Sequence, residues 1–138
     1  MIAYIDASVA LRVVLDHPGK LNEWQTIETG VANALVEVEC LRTLDRLRLH
    51  ATISGEEFAA RCEAVYRLTG GLKLVAPDMP ILRRAAQPLP TALGTLDAIH
   101  LATAATLRET LHPELVMATH DHALGRAARA TGFPVIGL

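Results

Sequence analysis

Cysteine is scarce in this chain. Cys40 and Cys62 are the only two, and they form neither a CxxC pair nor part of a Cys/His cluster. Their number and spacing exclude a disulfide framework and a structural zinc site, so both read as small buried thiols. Long apolar runs are missing as well. No stretch approaches the roughly 20 residues that cross a bilayer, and the apolar Ile2 to Ile5 segment meets Asp6 too early for a signal peptide. The expectation is a soluble, cytoplasmic protein with no membrane partner. An excess of basic charge is also absent: 15 acids against 13 bases give a net charge of −2, which excludes a whole-surface field for nucleic acid. Any such binding must be local. Lysine is nearly lacking, with only Lys20 and Lys73, so the bases are mostly arginines suited to fork-shaped contacts with phosphate or carboxylate. Internal repeats, low-complexity tracts and a domain boundary are not found.

What remains is a chain of 138 residues, 51% of them apolar and 20% charged, which reads as one domain over 1–138. At this length folding buries roughly two thirds of the surface that the unfolded chain exposes, enough for a real core. The apolar content lies at the high end for soluble domains and leaves apolar surface for a partner.

Ile2-Ala3-Tyr4-Ile5 is a short apolar run that ends at Asp6, after which the period turns helical through Ser8-Val9-Ala10-Leu11. The reading is strand, carboxylate, helix. A short helix is expected around Trp24, a brief strand at Gly30-Val31-Ala32, and a helix from about Ala34 to Leu49 capped by Asn33. Ser54 with Glu57 forms a capping box for a helix that ends at Gly70-Gly71, and Leu72 to Val75 makes a third strand. Asp78 to Gln87 reads as a short helix. Pro88, Pro90 and Gly94 mark a loop, and Thr95 caps a helix from Leu96 to about Thr110. Leu115 to Ala118 is a buried strand that delivers Thr119, His120 and Asp121; a helix to Ala130, a stop at Gly132 and a strand at Pro134 to Ile136 follow. Short apolar strands alternating with helices predict a doubly wound α/β domain with a mostly parallel sheet. In such folds ligands meet the carboxyl ends of the strands, the rim that carries Asp6 and Asp121.

Asp6 in YIDAS, Glu39 in ALVEVECLRTL, Asp97 in TLDAIHLATA and Asp121 in ATHDHAL form the candidate site. A carboxylate at a helix start has a structural explanation, since it caps free N–H groups at the positive dipole end. Several converging in one cleft would instead raise one another's pKa unless a divalent cation neutralised them, and hard oxygen ligands select Mg²⁺ or Mn²⁺.

Across nearly its whole length the chain resembles the PIN-domain ribonucleases, and among them the VapC toxins of bacterial toxin–antitoxin modules. The residues that carry the resemblance are YIDASVAL at the start, the Glu-x-x-Arg pattern of Glu39 and Arg42, LDAIHLATA from Leu96 to Ala104, and ATHDHALGRAARATGFPVI at the end. The resemblance implies a five-stranded parallel sheet flanked by helices. It implies a Mg²⁺- or Mn²⁺-dependent endoribonuclease, a homodimer, and neutralisation by a small cognate antitoxin. Residue by residue, Asp6, Glu39, Asp97 and Asp121 fall on the acidic site positions and Thr119 on the hydroxyl position beside the last acid. Asp6, Asp97 and Asp121 are then expected as direct or water-mediated metal ligands, Glu39 as a ligand for a second ion or a water-orienting base, and Thr119 as a hydrogen-bond partner behind them. A metal-activated water would attack phosphorus in line while the 3′ oxygen leaves, with RNA as substrate.

Glu37 is the alternative to Glu39. The two lie about 200° apart on a helix, so only one can face a given site. Asn33, in the capping place that family members fill with Ser, and the spacing to Arg42 favour Glu39. Among the histidines, His120 and His122 flank Asp121 but diverge in a loop entering a helix, and His100 reads as a satisfied, partly buried residue. Ser8 is expected to cap the first helix. Arg42 and Arg46 share a face with Glu39 and either touch RNA phosphates or pair with that acid; Arg83-Arg84 reads as a solvated face. Competing readings are a haloacid-dehalogenase-type phosphatase, a phospho-receiver-like domain, and a catalytically silent PIN-like binding domain. The phosphatase needs an acid where Ser8 stands, and the receiver needs a late lysine and a central acid, for which only Pro77-Asp78 is a partial match. The complete set of acids argues against the silent domain.

Overall fold

The computed structural model describes residues 1–138 throughout. β1 (Ile2–Ile5) is the middle strand of a sheet whose other members are β2 (Thr29–Asn33), β3 (Lys73–Val75), β4 (Val116–Ala118) and β5 (Val135–Ile136). Their order is β3-β2-β1-β4-β5 and all four pairings are parallel, so every carboxyl end lies along one rim. The helices are α1 (Ala7–Val14), α2 (Leu35–Leu49), α3 (Gly55–Gly70), α4 (Met79–Ala85), α5 (Thr95–Thr110) and α6 (His122–Ala130), with a 3-10 turn at Asn22–Thr26. This is the doubly wound α/β architecture expected from the sequence. No helix is long and apolar enough to cross a membrane.

Alternation along β1 builds two cores. Ala3 and Ile5 face one way, into a cluster with Val9, Val36, Leu44 and Val65 from α1, α2 and α3. Tyr4 faces the other way, into a cluster with Leu101, Leu107, Leu124 and Phe133, the first two from α5 and Leu124 from α6. Both faces of the sheet are thereby covered, as a parallel sheet requires. The chain passes from β1 through α1 to β2 on one side, while β4 takes the other side. The rim between β1 and β4 is therefore the topological switch point, where such sheets bind ligands.

Several local expectations shift. Asn33 closes β2 instead of serving as the cap of α2: its buried side chain accepts from Leu35 N–H at 3.0 Å, and Ala34 holds the cap position without a side-chain bond. Gly94, not Thr95, is the cap residue of α5. Ser8 is not a cap either, because Asp6 holds that place. Half of the capping box is present, with Ser54 Oγ accepting from Glu57 N–H at 3.0 Å while the Glu57 carboxylate turns to Arg61. Cys40 is buried and its thiol is pushed up to about 12, first by burial and then by the charge of Glu39. Cys62, expected buried, is only partly covered. Gly132, with φ +86°, ends α6 as expected.

Candidate active site

The end of β1 turns extended at Asp6, whose carboxylate caps α1 and is 4% exposed. Its Oδ2 accepts three hydrogen bonds: from Ser8 Oγ at 2.5 Å, Thr119 Oγ1 at 2.8 Å and Ser8 N–H at 3.3 Å. The two hydroxyls tie this acid to the neighbouring strand end. Ser8 Oγ accepts from His120 N–H at 2.9 Å, and Thr119 Oγ1 accepts from Asp121 N–H at 2.9 Å. Asp121 caps α6, with Oδ1 accepting from Leu124 N–H at 2.9 Å. Asp6 and Asp121 therefore both serve as caps, and their charge is favoured by the dipole ends on which they sit.

Asp97 lies in the first turn of α5 and accepts no hydrogen bond from a protein donor. Its carboxyl is raised from 3.8 to about 6, by burial first and then by the charges of Asp121 and Asp6, with a smaller contribution from Glu39. Asp97 thus feels the charges of the other three acids across the switch-point rim. Glu39 reaches the site from α2, and its Oε1 stands 2.5 Å from His100 Nε2. Glu37 points elsewhere, accepting from Thr69 of α3 at 2.7 Å. The two glutamates diverge as their angular separation requires.

His100 differs from expectation. It is fully buried, and its other ring nitrogen lies 2.7 Å from the hydroxyl of Tyr4, which accepts from Asn33 N–H at 3.0 Å. Burial alone would lower its pKa, but the hydrogen bond and charge of Glu39, with Asp6 and Asp97, raise it. Its contact with Glu39 is the site feature that sequence reading missed. Its position three residues after Asp97 was the one available signal, and it could not identify a partner on α2. His120 turns away to the Gly137 carbonyl at 2.6 Å and His122 is exposed, so they do not form a triplet with Asp121.

Beside Glu39 lies a groove lined by Val38, Arg42, Thr43, Arg46 and Leu96. Arg42 pairs with Asp45 at 3.0 Å, not with Glu39; Arg46 donates to Thr43 Oγ1 at 3.0 Å and has no acidic partner. Arg84 is engaged by Glu109 in a two-pronged pair at 2.7 Å. Asp78, the one acid available to a receiver-like reading, caps α4 by accepting from Ile81 N–H at 3.1 Å.

The donor set is all oxygen and mutually repulsive, which suits a hard divalent cation. Three of its members already accept bonds within the protein: Asp6 from Ser8 and Thr119, Asp121 from Leu124, Glu39 from His100. No three His, Cys, Asp or Glu side chains stand close enough together to hold one ion between them.

The PIN domain family model matches residues 3–130. Ribonuclease VapC46 of Mycobacterium tuberculosis is 33% identical over 136 residues, covering 96% of this chain and 95% of its own. Ribonuclease VapC47 of the same organism is 29% identical over 132 residues, covering 94% and 92%. Among solved structures, VapBC2 from Rickettsia felis bound to a DNA fragment from its promoter has a TM-score of 0.64 at 11% identity, covering 98% of this chain and 97% of its own. FitAB bound to the IR36 DNA fragment has a TM-score of 0.66 at 15% identity, with 99% and 94% covered. PAE2754 from Pyrobaculum aerophilum has a TM-score of 0.62 at 18% identity, with 98% and 89% covered. At these identities the structural likenesses speak to the fold.

Proposed function

Because this chain belongs to the PIN domain family, and to its VapC-type members, we propose that it is a Mg²⁺- or Mn²⁺-dependent endoribonuclease and the toxin of a toxin–antitoxin pair. The observation that carries the reading is the placing of Asp6 and Asp121 at the ends of the neighbouring strands β1 and β4, with Asp97, which has no protein donor, near enough for their charges to add to burial in pushing it up to about 6. A fold does not assemble mutually repelling carboxylates at its ligand-binding rim for stability. The near full-length relatives that carry ribonuclease names support RNA as the substrate.

We assign Asp6, Asp97, Asp121 and Glu39 to holding the cation, directly or through its water shell, with Thr119 and Ser8 behind Asp6. When bound, the ion supplies Lewis acidity toward a phosphodiester and a more acidic water. Everything else falls to the chain. Ser8 and Thr119 lock Asp6 through Oδ2, and Leu124 N–H locks Asp121 through Oδ1. Asp97, free of protein donors, is the acid most available to a ligand. The two hydroxyls both donate to Asp6, so neither is a free nucleophile, and water is the attacking group. Its oxygen bonds to phosphorus as the bond from phosphorus to the 3′ oxygen breaks. Arg46, without an acidic partner in the groove beside Glu39, fits a backbone phosphate of the RNA strand.

The VapBC2 and FitAB assemblies share this fold, which supports a small antitoxin as protein partner. The apolar groove between α4 and α5, lined by Leu82, Leu89, Leu93 and Ile99 and bordered by Thr95 and Ala98, suits an amphipathic helix whose end would lie beside Asp97. A basic side chain there would quench the acids. Self-association into a homodimer completes the proposal. The test is RNA cleavage by the purified chain during titration with Mg²⁺ or Mn²⁺. Cleavage that saturates with the ion and disappears with EDTA is expected. Cleavage insensitive to EDTA would overturn the metal dependence, and no cleavage of any RNA under saturating ion would favour the silent binding domain.

A further inference from the structure

A polar path crosses the core behind the acids. It begins at Asn33, the buried end of β2, whose backbone N–H donates to the hydroxyl of Tyr4 at 3.0 Å. Tyr4 is fully buried in the middle of β1, and its hydroxyl stands 2.7 Å from His100 Nδ1. Its ring meets the imidazole edge-on, with centroids 5.9 Å apart. His100, also fully buried, reaches Glu39 Oε1 with Nε2 at 2.5 Å. Asn33 is itself pinned, its side-chain amide donating to Thr103 Oγ1 at 2.9 Å. Three elements that do not adjoin in sequence, β1, α5 and α2, are thus joined through hydrogen bonds whose direction can be worked out.

A carboxylate can only accept, so His100 carries a proton on Nε2 toward Glu39, and the neutral ring accepts at Nδ1 from the Tyr4 hydroxyl, whose oxygen in turn accepts from Asn33 N–H. A neutral imidazole that accepts at Nδ1 carries its proton on Nε2, which faces Glu39. An imidazolium carries a proton on Nε2 as well. Glu39 therefore receives the same donor in either state of the ring, and its Oε1 is fixed while Oε2 is left for another partner.

We propose that His100, oriented by Tyr4, is a positioning residue that holds the Glu39 carboxylate at the acidic rim. The inference rests on the reading of Glu39 as one of the cation-holding acids. A histidine merely satisfied in the core has no need of a charged, partly solvent-accessible partner when the Tyr4 hydroxyl and a backbone carbonyl would serve. This one bridges the core to a carboxylate whose side chain remains 20% exposed. The arrangement is the one by which an outer hydrogen-bonding group orients a metal ligand.

Mn²⁺ binding to the full-length chain, followed by electron paramagnetic resonance without RNA, tests the proposal separately from turnover. His100→Leu, which removes the donor, should weaken Mn²⁺ binding at least about tenfold, and His100→Gln, which can still donate, should recover most of that loss. In cleavage assays His100→Leu should lower kcat by a similar factor with KM for RNA unchanged. Within a Glu39→Gln background the His100 change should have no further effect. If Glu39→Gln alone leaves Mn²⁺ binding intact, the functional reading of Glu39 fails. If Glu39→Gln weakens binding but His100→Leu in the native background does not, or if the two losses simply add, the positioning role is overturned. Should His100→Leu not fold, Tyr4→Phe carries the same comparison. Losing only the hydroxyl should weaken Mn²⁺ binding about threefold or more, with a lowered melting temperature because the buried Asn33 N–H loses its acceptor, and unchanged affinity of the folded variant would equally overturn the proposal.

Discussion

A carboxyl group set among other carboxylates resists giving up its proton, and Asp97 is the residue that registers this. Burial and the charges of Asp121 and Asp6 raise it from 3.8 to about 6. Its folded value thus lies above its unfolded one, so this group's favourable contribution to folding is fully present below about pH 3.8 and is lost as pH rises through about 6. Asp97→Asn keeps the volume and removes the charge. In calorimetry without divalent ions the variant should melt above the native chain at about pH 7.5, and the gap should close near pH 4, where the native carboxyl is protonated. Mg²⁺ should raise the melting temperature of the native chain and not of the variant, and cleavage should fall by at least about a hundredfold. A gap that is the same at both pH values would show that ionisation of Asp97 in its buried, acidic setting is not its cause. The glutamates of α2 divide in the same way. Glu37 is occupied by Thr69 at 2.7 Å, whereas Glu39 reaches His100 and the rim. Glu39→Gln should reduce cleavage at least about tenfold while Glu37→Gln leaves it near the native rate; the reverse ranking in a side-by-side assay would move the fourth acid to Glu37.

At the scale of elements, the end of β4 is held from outside by the last turn of the chain. Thr119 N–H donates to the Ile136 carbonyl at 3.1 Å, and His120 bonds the Gly137 carbonyl at 2.6 Å. Gly137 has φ +97°, and a Cβ there would lie 2.6 Å from the Thr119 carbonyl oxygen, a backbone atom that cannot step aside. Gly137→Ala should therefore destabilise the fold by on the order of 1–3 kcal/mol and lower cleavage by displacing the strand end that carries Thr119, as melting curves and assays would report. Gly125→Ala meets only the flexible Leu138 side chain and should be milder in both. Elements defined by period and punctuation were legible in the sequence: the apolar run of β1, the helix that opens with LDAIHLATA, and the Gly132 stop. What escaped was set by partners distant along the chain. Asn33 is held as the last residue of β2 by its amide donating to Thr103, 70 residues away, so although its Oδ1 accepts from Leu35 N–H, Ala34 takes the cap position of α2. Asp6 and Asp121 could be named as site candidates because each follows an apolar strand, and Asp97 because it sits beside an Ala-rich helix face, whereas Glu39, within α2, is picked out by the family resemblance. His100 could not be assigned its role, because its partners Tyr4 and Glu39 lie 96 and 61 residues off and no local period signals them.

For the whole molecule, the question is which surface a protein partner covers. The groove between α4 and α5 is concave and apolar, with a volume of about 540 Å³, and its lining runs through Thr95 and Ala98 to either side of Asp97 in sequence. A two-fold contact between copies requires a patch complementary to itself, which a concave groove is not, whereas an amphipathic helix fills such a groove with its apolar face. Occupancy by an antitoxin helix would also bring its end to the acids, so that binding and inhibition become one event. Ala86 lines the groove and is exposed at the end of α4, where an added cation is compatible with the helix dipole. Ala86→Arg should therefore fold as the native chain does and cleave RNA at the native rate, because it lies outside the acidic site. It should weaken inhibition by the antitoxin at least about tenfold, since a bulky, charged side chain occupies the apolar seat. Cleavage assays with increasing antitoxin, alongside sedimentation of the chain alone, check both parts. Unchanged inhibition with a shift from dimer to monomer would mean that this groove seats a second copy and that the antitoxin reaches the acids from the Arg46 side.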